Sequence, residues 1–177
     1  MPLLPVHDTH LFVEERGEGF PLLVLHGGPG LDSHEFADYL DPLTDAYRLV
    51  FIDQRAQGRS DRDADPEDPR IAEYERRTAG TVYAPAVLRA ASLESGGLGI
   101  EVEDALHRVH QPLLACTGRH DRTCVVAASE RIAELVQGAQ LHVFERSGHM
   151  TFVEQPEEYV AVVRAFLDAA CGDEASA

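Results

Sequence analysis

Short apolar runs that alternate with helical segments restrict the folds open to this chain. The first run, 21–26, is continuous and ends at a glycine-rich loop, as expected of a strand buried on both faces. Similar strand-length runs follow at 47–53, 112–117 and 140–144. Helical patterns follow at 33–40, where Ser33 can cap the helix, at 125–137 and from Pro156 onward. Strands that alternate with helices form parallel sheets with helical faces. We therefore predict an α/β fold with a mostly parallel sheet flanked by helices.

The organisation along the chain suggests one domain built from two halves. The 177 residues are enough for a single core. Residues 1–60 and 101–177 carry the strand and helix patterns of the two halves. Residues 61–100 start with an acidic, proline-containing stretch and continue with helical propensity broken by glycine and proline, which predicts an exposed connection.

Charge and composition exclude several classes of partner. The formal net charge of −16 opposes binding to nucleic acid or to anionic membranes. No apolar run approaches the roughly 20 residues of a membrane span, and the first residues show no secretory pattern, so we predict a cytoplasmic protein. The three cysteines have no metal-like spacing and are interpreted as free thiols. The pairs His7/His10 and His107/His110 lack an accompanying ligand set.

Three loops follow predicted strands, and ligands of parallel α/β sheets bind beyond the carboxyl ends of the strands. The loop 26–30 reads His-Gly-Gly-Pro-Gly, and the amides of Gly27 and Gly28 could approach a substrate oxygen as an oxyanion hole. Asp121 follows the strand at 112–117, and His149 follows the strand at 140–144. An acid followed by a histidine is the later part of a nucleophile–acid–histidine order. Asp121 would hold the imidazole, and His149 would act as general base and then as acid.

Four segments together resemble a known family. His-Gly-Gly-Pro-Gly at 26–30, Asp-Gln-Arg-Ala-Gln-Gly-Arg-Ser at 53–60, Gly-Arg-His-Asp at 118–121 and Ser-Gly-His at 147–149 are similar to the signatures of proline iminopeptidases. The family usually has glycine where Ala56 stands. The resemblance covers about 8–60 and 100–170. It implies a truncated α/β-hydrolase fold with a cap remnant at 61–100.

The resemblance also implies a chemistry, that of an aminopeptidase or esterase hydrolysing peptide, amide or ester bonds. The substrate would be a small molecule or short peptide, with no cofactor and no metal. Asp121 and His149 would be the acid and base of the triad, and Gly27 and Gly28 would bind the oxyanion.

The nucleophile of this family is missing from the sequence. The family places a strand, a Gly-x-Ser-x-Gly elbow and a cap before the acid, whereas about sixty residues separate Asp61 from Asp121 here. No serine or cysteine has glycine two residues away on both sides. The sequence therefore predicts an incomplete catalytic triad and an inactive or impaired hydrolase.

The sequence is also compatible with other interpretations. Ser60 is the best remaining candidate for a different nucleophile, because it follows a strand. The chain could instead be a non-catalytic protein that binds a small molecule or a partner, or one that folds poorly without its central strand. Taken alone, the loop 26–30 could be a tight turn, and Asp121 could be a helix N-cap. Asp53, Gln54 and Arg55 are expected to make structural polar contacts beneath the site.

Overall fold

The computed structural model describes residues 3–28, 30–55, 57–61 and 103–172. These residues fall into two compact units, one with 3–38 and 44–61, the other with 39–43 and 103–172. Apart from Asp61, the predicted connection and cap remnant lies outside the described residues. In the described part of the chain, no helix combines the length and apolar character that crossing a bilayer requires.

The first unit contains five strands in two sheets. They are β1 (Leu4–Val6), β2 (Thr9–Leu11), β3 (Val13–Arg16), β4 (Phe20–Leu25) and β5 (Tyr47–Ile52). Strands β1 and β2 form an antiparallel pair. The second sheet has the order β3-β5-β4, in which β5 is antiparallel to β3 and parallel to β4. The parallel pairing of β4 with β5, with Leu22 opposite Leu49, agrees with the mostly parallel sheet predicted.

Strand β5 supplies much of the core of this unit. Tyr47, Leu49 and Phe51 are buried on one face, as the period of two in a strand requires. The prediction that 21–26 is buried on both faces is wrong. Leu23 and Leu25 are 59% and 55% exposed, whereas the alternate residues of β4 are half-buried. A continuous apolar run shows that both faces could be covered, but the packing of other elements decides whether they are.

The short helix expected at 33–40 is a 3₁₀ turn over Ser33–Phe36. Its cap is Asp32 rather than Ser33, because the Asp32 carboxylate accepts the amide proton of His34 at 3.0 Å. The hydroxyl of Ser33 donates instead to the buried carboxylate of Asp53 at 2.7 Å. Asp32 therefore caps the turn, whereas Ser33, the cap expected from the sequence, binds Asp53 instead.

The second unit contains another parallel pair of strands, which also agrees with the predicted class of sheet. Its strands are β6 (Leu114–Gly118) and β7 (Gln140–Phe144). Its helices are α1 (Val126–Leu135), α2 (Thr151–Glu154) and α3 (Pro156–Cys171), with 3₁₀ turns at Asp41–Leu43 and Glu103–Arg108. Helix α1 connects β6 to β7, which makes a βαβ unit.

Helix α3 begins at Pro156, as its sequence predicts, since a first-turn proline loses no helical hydrogen bond. Tyr159 of its apolar stripe stacks on the buried Phe144 ring with centroids 5.8 Å apart. This contact joins α3 to the end of β7, where the histidine loop begins.

Candidate functional site

Asp121 and His149 come together although 28 residues separate them along the chain. Asp121 Oδ2 lies 2.8 Å from His149 Nδ1. The carboxylate side chain is 5% exposed, whereas the imidazole is 50% exposed. An acid that holds one ring nitrogen leaves the other nitrogen available for proton transfer. The contact is compatible with the acid and base of a triad, and these roles of Asp121 and His149 stay predictions.

The other oxygen of Asp121 organises its own loop. Asp121 Oδ1 accepts the amide protons of Thr123 at 2.7 Å and Cys124 at 2.9 Å. Burial acts to raise the pKa of Asp121, but the hydrogen bond from His149 and those from the two amides outweigh it and hold this pKa below its usual range. Helix α1 is capped by Val125 without a side-chain bond, so Asp121 is not its N-cap. The carboxylate closes a turn that precedes the helix.

The loops after β6 and β7 are fastened to each other by backbone contacts. The amide of Arg119 donates to Phe144 O, and the amide of His120 donates to Ser147 O, both at 2.9 Å. A Cβ at Gly118 would lie 1.9 Å from the Gly148 carbonyl oxygen, so only glycine permits this approach. The rigid contact explains how Asp121 meets the imidazole.

Glu154 holds the histidine loop from the other side, a role that the sequence analysis missed. Its carboxylate accepts the amide proton of Gly148 at 2.9 Å and that of Met150 at 3.1 Å. The two amides flank His149, so one side chain fixes the backbone on both sides of the imidazole. No pattern in the sequence marked Glu154, because the bond depends on how α2 folds back.

In the first unit, the glycine loop is anchored through His26, which is 4% exposed. His26 Nε2 accepts the amide proton of Gln54 at 3.1 Å, so the ring proton must sit on Nδ1. That Nδ1 donates to Gly27 O at 2.7 Å. The side-chain amide of Gln54 donates back to His26 O at 2.9 Å. The expectation that Gln54 makes structural contacts is confirmed.

The predicted oxyanion donors have different surroundings. The amide of Gly27 donates to the carboxylate of Glu35. Gly28 has a φ of 120°, a region that favours glycine. The amide of Gly30 donates to Gln57 Oε1 at 2.6 Å. A substrate oxygen would have to displace Glu35 to reach Gly27, and the oxyanion role of Gly27 and Gly28 stays a prediction.

Asp53 is fully buried and organises the end of β5. It accepts hydrogen bonds from the Ser33 hydroxyl and from both the amide and the guanidinium of Arg59. Burial acts to raise the pKa of Asp53, but the bonds from Arg59 and Ser33 prevail and the pKa lies well below its usual range. Arg55 instead forms a surface pair with Asp8 at 2.9 Å. Both residues have the structural polar contacts expected of them.

Ser60, the alternative nucleophile, is only 4% exposed, and its hydroxyl already forms hydrogen bonds with backbone groups. Its hydroxyl donates to Asp53 O at 2.6 Å and accepts the amide proton of Phe12 at 2.9 Å. A serine that donates its proton to a carbonyl cannot deliver it to a base without breaking that bond. The geometry therefore opposes the hypothesis of a Ser60 nucleophile.

A thiol lies beside the acid–histidine pair, although Cys124 lacks the flanking glycines of a nucleophile elbow. Cys124 is exposed, and its Sγ, one Asp121 oxygen and one His149 nitrogen all lie within 4.8 Å of one another. These are the atoms in the described residues that could share a metal ion. The signal in the sequence was the Asp-x-x-Cys spacing, but it is informative only once His149 is known to be adjacent.

The parallel strand pairs, with helix α1 connecting β6 to β7, indicate the fold class of the protein. The structure superposes on Est816, described as an N-acyl homoserine lactone degrading enzyme, with a TM-score of 0.76 and 17% identity over 93% of this chain and 100% of that one. The chain has an α/β-hydrolase fold.

In sequence, the chain resembles proline iminopeptidases. It is 38% identical to the proline iminopeptidase of Heyndrickxia coagulans over 63 residues, which are 36% of this chain and 22% of that protein. It is 30% identical to pyrrolizixenacetamide deacetylase of Xenorhabdus hominickii over 70 residues, 40% of this chain and 26% of that protein. The alignments thus span about a quarter of each relative's length. No protein-family model matches the chain.

Proposed function

We propose that this chain is a proline iminopeptidase-like hydrolase scaffold that keeps the acid–base pair but is inactive or impaired as a serine hydrolase in the form given. The observation that carries the proposal is the hydrogen bond between Asp121 and His149, with no elbow serine in the sequence. The commitment of Ser60 to two backbone groups supports the same conclusion. With an elbow in place, the substrates would be small esters, amides or short peptides.

The mechanism explains why the nucleophile is decisive. With Nδ1 of His149 held by Asp121, the remaining ring nitrogen is the one to take a proton from an attacking hydroxyl. The elbow also contributes a backbone amide to the oxyanion hole. Without it, both the attacking atom and one of the donors that stabilise the developing charge are lost. Loss of the nucleophile typically costs several orders of magnitude in rate.

The test measures turnover and serine labelling in the same preparation. The purified chain is incubated with a fluorophosphonate probe and assayed with a p-nitrophenyl ester and with proline p-nitroanilide. We expect no labelled serine and no turnover above that of the His149→Gln variant. Serine labelling of the native fold, or turnover that His149→Gln abolishes, would overturn the proposal.

A second arm restores what is missing. A strand–elbow–helix segment with Gly-x-Ser-x-Gly is inserted at 61–65, and the same substrates are assayed. Turnover should appear and should disappear again when His149→Gln is introduced into the restored protein. A restored protein that melts cooperatively but stays inactive would count against the hydrolase scaffold.

A non-catalytic binding role is the alternative, and one contact favours it. The amide of Gly27 already holds a carboxylate, that of Glu35, so the loop could accept a ligand carboxylate or carbonyl in its place. Binding of proline or a short peptide should then raise the melting temperature, and more so in Glu35→Ala, where the amide is free. Equal shifts in both proteins would exclude this loop as the binding site.

A further inference from the structure

We propose that Asp121, Cys124 and His149 form a site for a zinc-type divalent cation, a property that goes beyond the hydrolase scaffold. One oxygen, one sulfur and one nitrogen are grouped within 4.8 Å. Tetrahedral zinc uses these ligand types, with bonds of about 2.0–2.3 Å. Such bonds place neighbouring ligand atoms roughly 3.3–3.6 Å apart. Atoms at the 4.8 Å limit would therefore need to approach by up to about 1.5 Å. Asp121 Oδ2 and His149 Nδ1, which lie 2.8 Å apart, would need to separate by up to about 0.8 Å to admit the ion.

The loop geometry prepares two of the three ligands. Because Asp121 Oδ1 accepts the amide proton of Cys124, the acid and the thiol are tied to one turn. The oxygen that contacts His149 is the other one, Oδ2, at 2.8 Å from Nδ1. An ion could replace the proton shared by that pair while Oδ1 keeps the turn closed. Partners of this kind orient ligands and strengthen metal binding.

The imidazole is also positioned before any ion arrives. Glu154 holds the amides of Gly148 and Met150, which fixes the backbone on both sides of His149. Preorganised ligands lose little conformational entropy on binding. The flexible side chain that must move is therefore mainly that of Cys124.

The charge and the exposure of the three side chains suit a cation that keeps one coordination position open to solvent. A carboxylate and a thiolate together neutralise a divalent ion, and the chain as a whole carries a formal charge of −16. Asp121 is nearly buried, whereas His149 is half-exposed and Cys124 is exposed. Three protein ligands with solvent on one side would leave the fourth coordination position of a tetrahedral ion to water. Sulfur and nitrogen donors favour zinc over magnesium or calcium.

The test uses Co²⁺ as a spectroscopic probe and Zn²⁺ as its competitor. The full chain, kept reduced with a phosphine, is titrated with Co²⁺ while the near-ultraviolet thiolate-to-cobalt absorption is recorded. We expect one equivalent to bind with a thiolate band, and one equivalent of Zn²⁺ to abolish it. Absence of the band in the folded protein would overturn the proposal.

Variants then assign the ligands. Cys124→Ser should remove the band, and His149→Gln and Asp121→Asn should weaken binding by more than about a hundredfold, since even outer partners cost 10–100-fold. Cys171→Ser and His107→Gln carry the same changes at other positions and should leave the titration unchanged. A band that survives Cys124→Ser, or that Cys171→Ser removes, would contradict the assignment. Circular dichroism confirms that each variant is folded, and the metal titration is independent of hydrolase turnover.

Discussion

Gly118 approaches Gly148 so closely that a Cβ at position 118 would lie 1.9 Å from the carbonyl oxygen of Gly148. The same Cβ would lie 2.5 Å from Ser147 O. These oxygens are backbone atoms of the loop after β7, and they cannot move aside as a flexible side chain would. The spacing of the acid and histidine loops thus depends on the lack of a side chain at one residue.

Replacing Gly118 with alanine should therefore destabilise the protein by more than about 3 kcal/mol, because the two loops must separate. It should also separate Asp121 from His149. Gly138→Ala is the matched control, since Gly138 has a φ of 80° and no atom within 4 Å of its Cβ position. That variant should lose only about 1–2 kcal/mol through backbone strain. Urea unfolding of the two variants measures the difference, and similar losses would contradict the clash.

Ser60→Ala should destabilise the chain by about 1–3 kcal/mol without changing any turnover that is found. The substitution leaves the buried amide of Phe12 and the carbonyl of Asp53 without their partner. Ser129→Ala, in the middle of α1, should be neutral or slightly stabilising, since alanine favours helices. Thermal unfolding and ester hydrolysis are measured on both, and a loss of turnover in Ser60→Ala alone would revive Ser60 as nucleophile.

Asp53→Asn should cost about 3 kcal/mol at pH 7, because it breaks a buried ion pair with Arg59. The pKa of Asp53 is lower in the folded state than the ordinary value of about 3.9. The folded state therefore binds fewer protons than the unfolded state in acid, and this stabilisation, present above pH about 4, is lost as the pH falls further. The difference between variant and wild type should shrink at pH 3, measured by urea unfolding. An unchanged difference would show that the carboxylate charge is not responsible.

Two leucines on paired strands should differ widely in their contribution to stability. Leu49→Ala removes a side chain that is 1% exposed and should cost about 2–5 kcal/mol. Leu25→Ala removes one that is 55% exposed and should cost less than about 1 kcal/mol. Equal losses in denaturant unfolding would mean that the outer face of β4 is covered in solution.

Much of the fold followed from the sequence because it depends on local patterns. The strand-length apolar runs of β5 and β7 and the proline that starts α3 were all recognisable along the chain. The cap of the first 3₁₀ turn was misassigned because Ser33 is recruited by Asp53, which lies 20 residues away. The exposure of Leu25 likewise depends on what packs against β4.

By itself, the sequence determined the α/β class, the order of the acid and histidine and the lack of an elbow serine, since these are matters of residue type and spacing. Three contacts were decided by the tertiary structure alone. Glu154 accepts hydrogen bonds from the amides on both sides of His149, and Glu35 accepts one from the amide of Gly27. Cys124 lies beside the pair formed by Asp121 and His149. Each of these contacts joins groups that the folding of loops and turns brings together. Those loops are closed by hydrogen bonds that exist only in the folded chain. A spacing along the chain does not specify such distances until the strands and loops have been brought together.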